Sequence, residues 1–131
     1  MIGYVTLGTN DREKGAAFYD ALCGEMGAGR MMENEQFIAW GVPGGGAGIG
    51  LTAPFDGSAA TVGNGVMVAL EAKDHAQVDR LYEIALANGG TDEGAPGDRG
   101  GGFYAGYFRD PDGNKLNAFV MSQEAFEESL V

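Results

Sequence analysis

The sequence repeats one pattern at an offset of 63 residues (74 minus 11), and this repeat limits the fold more than any other feature. The alternating run at residues 4–7 aligns with residues 67–70, and the helix-start residue Asp11 aligns with Asp74. Each copy then continues as an amphipathic helix that ends at a glycine. Internal repetition of this kind indicates two copies of one supersecondary unit.

Three further strand-like runs follow the helix in each copy. In order along the chain they are residues 27–33, 36–42, 47–53, 90–96, 103–109 and 114–121. The repeated unit is therefore βαβββ, and two such units in tandem predict an α+β fold.

The length of 131 residues is sufficient for one domain with a hydrophobic core. We predict a single domain with module one at about residues 1–54, a linker at about 55–63 and module two at about 64–121. A short acidic helix is expected at residues 122–131, since Ser122 can cap it and carboxylates follow in the first turn.

Composition and charge exclude several classes of protein. A formal charge of −11 argues against nucleic acid as a partner, because non-specific binding to phosphates needs clustered Lys and Arg. The same charge can attract a cationic ligand. No apolar run is long enough for a membrane span, and residues 1–11 lack the features of a signal peptide. With Cys23 as its only cysteine the chain has no internal disulfide, and we expect a cytoplasmic protein.

The stretch "YFRDPDGNKLNAF", residues 107–119, predicts a hairpin. Pro111 presets φ for the turn, and Gly113 can adopt the left-handed conformation that closes it. This turn places Tyr107 opposite Asn117. The period of two then gives an apolar face (Tyr104, Phe108, Leu116, Ala118, Val120) and a mixed face (Ala105, Tyr107, Arg109, Lys115, Asn117, Phe119). The mixed face suits a ligand site, and its alternative is a solvated outer face.

The stretches "YVTLGTND", "AAFYDAL" and "RDPDGNKL", within two βαβββ units, resemble the vicinal oxygen chelate superfamily. That family includes glyoxalase I, bleomycin-resistance proteins and extradiol dioxygenases. The resemblance covers nearly the whole chain. It implies the glyoxalase/bleomycin resistance/dioxygenase fold, in which paired modules form a cupped, barrel-like cleft. It also implies a homodimer, with a cleft made within one chain or across two.

The metal-dependent members carry a His in the first strand and a Glu in the last strand of a module, and the metal acts as a Lewis acid. These positions fall here on Tyr4 and Met67 for His, and on Asn117 and approximately Ile49 for Glu. None of the four is a good ligand for a hard divalent metal. The single histidine, His75, is expected to be an exposed helix residue. We therefore predict no metal site and no cofactor.

The strand phases point several side chains into the predicted cleft. The candidate ligand-binding residues are Tyr4, Met67, Tyr107, Asn117, Phe119 and Arg109. Tyr4 and Tyr107 are also the candidates for acid or base catalysis. The alternative is a filled core in which Met and Tyr only pack. A small organic molecule is the expected partner.

Three other features have two interpretations each. Arg109 and Lys115 can bind a carboxylate at the cleft mouth or form a solvated pair beside the two aspartates of the turn. The glycine-rich residues 94–103 form either a flap over the cleft or a loop without ligand contact. Cys23 is predicted to be a buried, inert thiol rather than a nucleophile.

Three functions remain open from the sequence. The first is a metal-independent binding protein of bleomycin-resistance type for a small cationic or aromatic molecule. The second is a cofactorless enzyme that uses a tyrosine on a small carbonyl compound. The third is a metal-dependent lyase or dioxygenase with a non-standard site that draws on carboxylates such as Glu33, Glu35 and Glu71.

Overall fold

The structure, a computed structural model, describes residues 1–122, so the helix predicted at residues 122–131 lies outside the described residues apart from Ser122. The elements are β1 (Tyr4–Gly8), α1 (Arg12–Glu25), β2 (Gly29–Glu33), β3 (Phe37–Gly41), β4 (Gly48–Thr52), β5 (Val68–Glu71), α2 (His75–Ala87), β6 (Thr91–Asp98), β7 (Phe103–Arg109) and β8 (Lys115–Met121). This order confirms the α+β fold and the two tandem βαβββ modules.

Each module forms its own four-stranded sheet. The strand orders are β1-β4-β3-β2 and β5-β8-β7-β6, with the first strand of each module parallel to its last. No strand pairing joins the two sheets within the described part of the chain, so they do not close into a barrel. No helix in residues 1–122 has the length and apolar character needed to cross a membrane.

Both helices begin where the capping residues predict. The Asp11 side chain accepts a hydrogen bond from the backbone N–H of Lys14, and Asp74 accepts one from Gln77. These bonds satisfy N–H groups that have no partner inside the first turn. Each helix then packs one face against its own sheet. The largest fully buried side chains are Trp40, Tyr19, Phe18, Phe108, Leu22, Ile38, Leu51, Leu81, Leu116, Val78 and Asn117.

A buried polar network connects the turn of module two with helix α1 and strand β1 of module one. The Tyr19 hydroxyl donates to Asp110 Oδ2 at 2.7 Å. The Asn114 amide donates to the same oxygen at 2.8 Å and to the Gly8 carbonyl at 2.9 Å. Burial, followed by the negative charge of Asp110, raises the pKa of Tyr19 well above its ordinary value. Tyr19 is therefore held as a neutral donor.

The turn itself has the predicted geometry. Asp110 Oδ1 accepts from the backbone N–H groups of Asp112 and Asn114, and Gly113 has φ of 92°. The left-handed φ requires glycine, because any Cβ there is strained. Tyr107 pairs with Asn117, which confirms the predicted register. Asp112 Oδ1 also accepts from the backbone N–H of Asn10, so a second contact joins the modules.

The network predicts a cost for Tyr19→Phe. This change removes one donor from a buried carboxylate, and we expect a loss of about 2 kcal/mol in the free energy of unfolding. Urea denaturation measures it. The matched control is Tyr82→Phe, because Tyr82 donates to Asp92 at an exposed position, and a change below about 0.5 kcal/mol is expected there. Equal losses in the two variants would contradict this role of the network.

Cys23 gives a second prediction, for alkaline pH. Burial raises the pKa of the Cys23 thiol to about 12, against about 8.5 in an unfolded chain. Since the folded pKa is the higher one, the contribution of this thiol to the free energy of unfolding is fully present below about pH 8.5. Above that pH the contribution falls by about 1.4 kcal/mol for each pH unit, up to the folded pKa.

We therefore expect the free energy of unfolding to fall less steeply between pH 8.5 and 10.5 in Cys23→Ala than in the parent protein. The measurement is urea denaturation at several pH values. The native thiol should also resist a thiol reagent until the protein unfolds, because the nucleophile is the thiolate. Identical pH slopes, or rapid labelling of the folded protein, would show that the thiol is accessible.

Candidate functional site

The candidate site lies on the side of the second sheet that faces away from α2. Phe108, Leu116 and Ala118 point toward the helix and are fully buried. Their neighbours along β7 and β8 therefore point to the opposite side. We call this side the module-two face; its central residues are Tyr107, Arg109, Lys115, Asn117 and Phe119. In register, Tyr107 pairs with Asn117, and Arg109 pairs with Lys115.

Asn117 is the unusual residue of this face. It is only 2% exposed, and its Oδ1 atom is buried without a hydrogen-bond partner among the described residues. Its strand neighbours are Ala69 on one side and Tyr107 on the other. A buried polar atom without a partner costs about 1–3 kcal/mol. Such atoms are few in native proteins, and a binding role is one reason why a fold keeps them.

A cavity of about 520 Å³ adjoins this face at its Arg109–Lys115 end. Residues 62–67, which precede β5, form one wall, and Arg109 and Lys115 form the other. Met67 lines the cavity and is 40% exposed. The volume lies within the range typical of small-molecule sites. The structure thus places five of the predicted residues in or beside one site, with two lining the cavity (Met67 and Arg109) and three on the face (Tyr107, Asn117 and Phe119).

Two cations lie against the ring of Tyr107. The Lys115 ammonium is 5.7 Å from the ring centroid, and the Arg99 guanidinium carbon is 5.5 Å from it. Both distances are typical of cation–π contacts. Neither cation has an ion pair within residues 1–122.

Arg109 is already paired. Its Nε donates to Glu93 and its Nη1 donates to the Gly113 carbonyl. The hydrogen bond from Arg109 lowers the pKa of the Glu93 carboxyl. The aspartates of the turn accept hydrogen bonds in the junction between the modules, and Arg109 lies opposite Lys115 across the two strands. Of the two cations that line the cavity, Lys115 is the one without an ion pair within the described residues.

The glycine-rich residues 94–103 are mostly strand. Strand β6 extends to Asp98, and only residues 99–102 connect it to β7. This segment places Arg99 against the ring of Tyr107, a contact that the sequence did not predict. The only signal for it was a single cation within a run of glycines. The role of the segment as a flap stays a prediction.

Tyr4 lies on the other sheet. It is 65% exposed and lines a separate groove of about 420 Å³ with Met31, Met32 and Phe37. Its ring is 6.3 Å from that of Phe37. No hydrogen bond or ring contact joins Tyr4 to the module-two face within the described residues. The expected grouping of Tyr4 with Tyr107 is therefore not seen within one chain.

The strand register also corrects the position predicted in module one for the counterpart of Asn117. Asn117 pairs with Ala69, and the equivalent pair in module one is Thr6 with Gly50. The counterpart is therefore Gly50. Ile49 is one residue away and points into the core. A side chain at position 50 would collide with the Phe37 ring, which lies over this glycine.

The donor set does not suit the metal that the resemblance implies. The relevant positions hold Tyr4, Met67, Gly50 and Asn117: one phenol, one thioether, no side chain and one amide. Hard or borderline divalent metals require several imidazole or carboxylate ligands, and none of these four positions supplies one. Residues 1–122 also contain no cluster of three or more His, Cys, Asp or Glu side chains that could hold a metal. His75 is exposed and stacks on Tyr104.

Comparison with known proteins identifies relatives over nearly the whole chain. Residues 1–118 match the family model for the Glyoxalase/Bleomycin resistance protein/Dioxygenase superfamily. A glyoxalase/bleomycin resistance protein from Albidiferax ferrireducens T118 is 38% identical, with 93% of this chain and 99% of that chain covered and a TM-score of 0.86. No match was found among the curated proteins.

Two more distant structures share the fold. A glyoxalase-related enzyme from Fulvimarina pelagi is 23% identical, with coverage of 92% and 87% and a TM-score of 0.74. A lactoylglutathione lyase from Agrobacterium tumefaciens is 22% identical, with coverage of 92% of each chain and a TM-score of 0.67.

The donor set predicts the outcome of a metal titration. Protein without a His tag should bind no stoichiometric Zn²⁺, Ni²⁺ or Fe²⁺, because imidazole and carboxylate are missing at the relevant positions. Calorimetry and metal analysis measure this. Weak binding through His75 is recognised by its loss in His75→Ala. One tightly bound equivalent that persists in His75→Ala and disappears in Asn117→Ala would overturn the prediction.

Proposed function

The chain belongs to the Glyoxalase/Bleomycin resistance protein/Dioxygenase superfamily, and from this we propose that it binds a small organic molecule on the module-two face. This binding uses no metal at the family's ligand positions. The ligand lies against Tyr107 and Asn117 and extends into the cavity beside Lys115 and Met67. The observation that carries the proposal is the buried amide of Asn117, whose Oδ1 atom has no hydrogen-bond partner within residues 1–122.

The contrast with Asn114 supports a binding role for Asn117. Both asparagines are on or beside β8, and both are buried. Asn114 uses its amide N–H groups, because Nδ2 donates to Asp110 and to Gly8. Asn117 gains no comparable bond, although leucine would fill a similar volume without the cost of an unpaired polar atom. An amide kept at such a cost is expected to hydrogen-bond a ligand.

Catalysis is the alternative, and on this face it would depend on Tyr107. Tyr107 is the phenol beside Asn117, whereas Tyr4 lines the separate groove of module one. A tyrosine serves as a base near neutral pH only when its pKa is lowered. The fold is shared with a lactoylglutathione lyase, so a lyase or dioxygenase reaction on a small carbonyl compound is the second candidate.

Asn117→Leu should separate binding from stability. We expect the variant to be more stable by about 1–2 kcal/mol in urea, because the unpaired polar atom is removed. We also expect it to lose the ligands that stabilise the parent protein in a thermal-shift screen of small organic molecules. A gain in stability with a loss of binding is typical of a functional residue.

The control is Asn114→Leu, which should be less stable because it removes the amide that donates to both Asp110 and the Gly8 carbonyl. If Asn117→Leu is destabilised as much as Asn114→Leu and keeps every ligand, Asn117 is structural and the proposal fails. Mass spectrometry of each hit after incubation tests the alternative. Turnover that Tyr107→Phe abolishes, with affinity retained, would establish an enzyme in place of a binding protein.

A further inference from the structure

We infer that the ligand of the module-two face carries a carboxylate, which Lys115 and Arg99 bind beside the ring of Tyr107. This inference rests on the proposed function and names the chemical class of its ligand. It replaces the cationic ligand that the overall charge had suggested.

The first argument is that these two cations have no ion pair within the described residues of a chain rich in carboxylates. The sequence has 19 acidic and only 8 basic residues. Arg12, Arg30, Arg80 and Arg109 each form an ion pair within the described residues. Lys14, Lys73, Arg99 and Lys115 form none there, and of these four Arg99 and Lys115 lie against the same aromatic ring.

The second argument concerns the local charge of the face. A net charge of −11 attracts cations to the molecule as a whole. The Tyr107 end of this face nevertheless presents three cations, Arg99, Arg109 and Lys115. Glu93 forms its ion pair with Arg109, and the hydrogen bond from Arg109, followed by the charges of Arg109 and Lys115, lowers the pKa of its carboxyl. Within residues 1–122 Glu71 is also on this side of the sheet, but it pairs in register with Phe119 at the far end of the face. The local field at Tyr107 is therefore that of an anion site.

The third argument is the position of Lys115 between the cavity and the ring. Lys115 lines the cavity and its ammonium also approaches Tyr107. A carboxylate bound to Lys115 would leave the organic part of the ligand between Tyr107 and the apolar wall at Met67. A polar group on that part would meet the amide of Asn117. Hydrogen bonds between an ammonium and a carboxylate are about twice as strong as neutral ones, so the charge would dominate affinity.

The experiment compares each acid with its own primary amide. The probes are aliphatic and aromatic monocarboxylates, and the amide of each has the same shape without the charge. Binding is measured by calorimetry at constant ionic strength on the full chain. We expect one or more acids to bind at least about tenfold more tightly than their amides, as expected for one charge-assisted hydrogen bond. The affinity should fall as NaCl concentration rises.

Matched variants locate the charge. Lys115→Gln and Arg99→Gln should each remove most of the preference for the acid, whereas Lys115→Arg should keep it. The control is Lys73→Gln, at an exposed lysine that lies before α2 and outside this face. Urea denaturation confirms that each variant is folded.

Three outcomes would overturn the inference. The first is that amides bind as tightly as acids, the second that no acid binds, and the third that Lys73→Gln weakens binding as much as Lys115→Gln. The proposed function is judged separately. Neutral or cationic probes that bind the parent protein and not Asn117→Leu would support the proposed function and reject the carboxylate ligand. Acids that bind equally to the parent protein and to Asn117→Leu would contradict both the proposed function and this inference.

Discussion

The carboxylate of Asp110 is the group on which the rest of the structure depends. It accepts hydrogen bonds from Tyr19 in the helix of module one and from Asn114 in the turn of module two. Because Asp110 holds the turn between β7 and β8 against helix α1, this buried ion helps to set the position of both strands relative to module one. That ion has no basic partner within the described residues. Its charge is compensated by donors alone, as is usual for buried polar groups.

The site differs from this junction in how its polar groups are used. Around Asp110 the donors Tyr19 and Asn114 each have an acceptor, although Oδ2 of the neighbouring Asp112 is buried without a partner within residues 1–122. In the described part of the chain the Oδ1 atom of Asn117 likewise has no partner, and the two cations at Tyr107 form no ion pair. The unpartnered amide oxygen costs stability. What distinguishes this face is that such an amide and two cations lie beside one aromatic ring, that of Tyr107.

Much of this face could be predicted from the sequence, because local chemistry determines it. The turn residues Pro111 and Gly113 set the hairpin register, and that register paired Tyr107 with Asn117. The grouping with Tyr4 is not seen within one chain, and periodicity could not decide it, because a period of two says which side of a sheet a residue occupies and not how two sheets are placed. The choice of Ile49 instead of Gly50 was an error of one residue, and in a strand one residue reverses the side. Arg99 lies in the connection between β6 and β7, and no local sequence pattern predicts its contact with Tyr107.

The absence of strand pairing between the two sheets has a consequence for how this chain can change. Each sheet keeps its own hydrogen-bond ladder, so a substitution on the outer side of one does not disturb the strand register of the other. The two modules present different surfaces. Module one presents glycines and thioethers, with Gly50 under an aromatic ring, whereas module two presents an amide, a phenol and cations. A duplicated scaffold of this kind allows one half to acquire new chemistry while the other half preserves the shape.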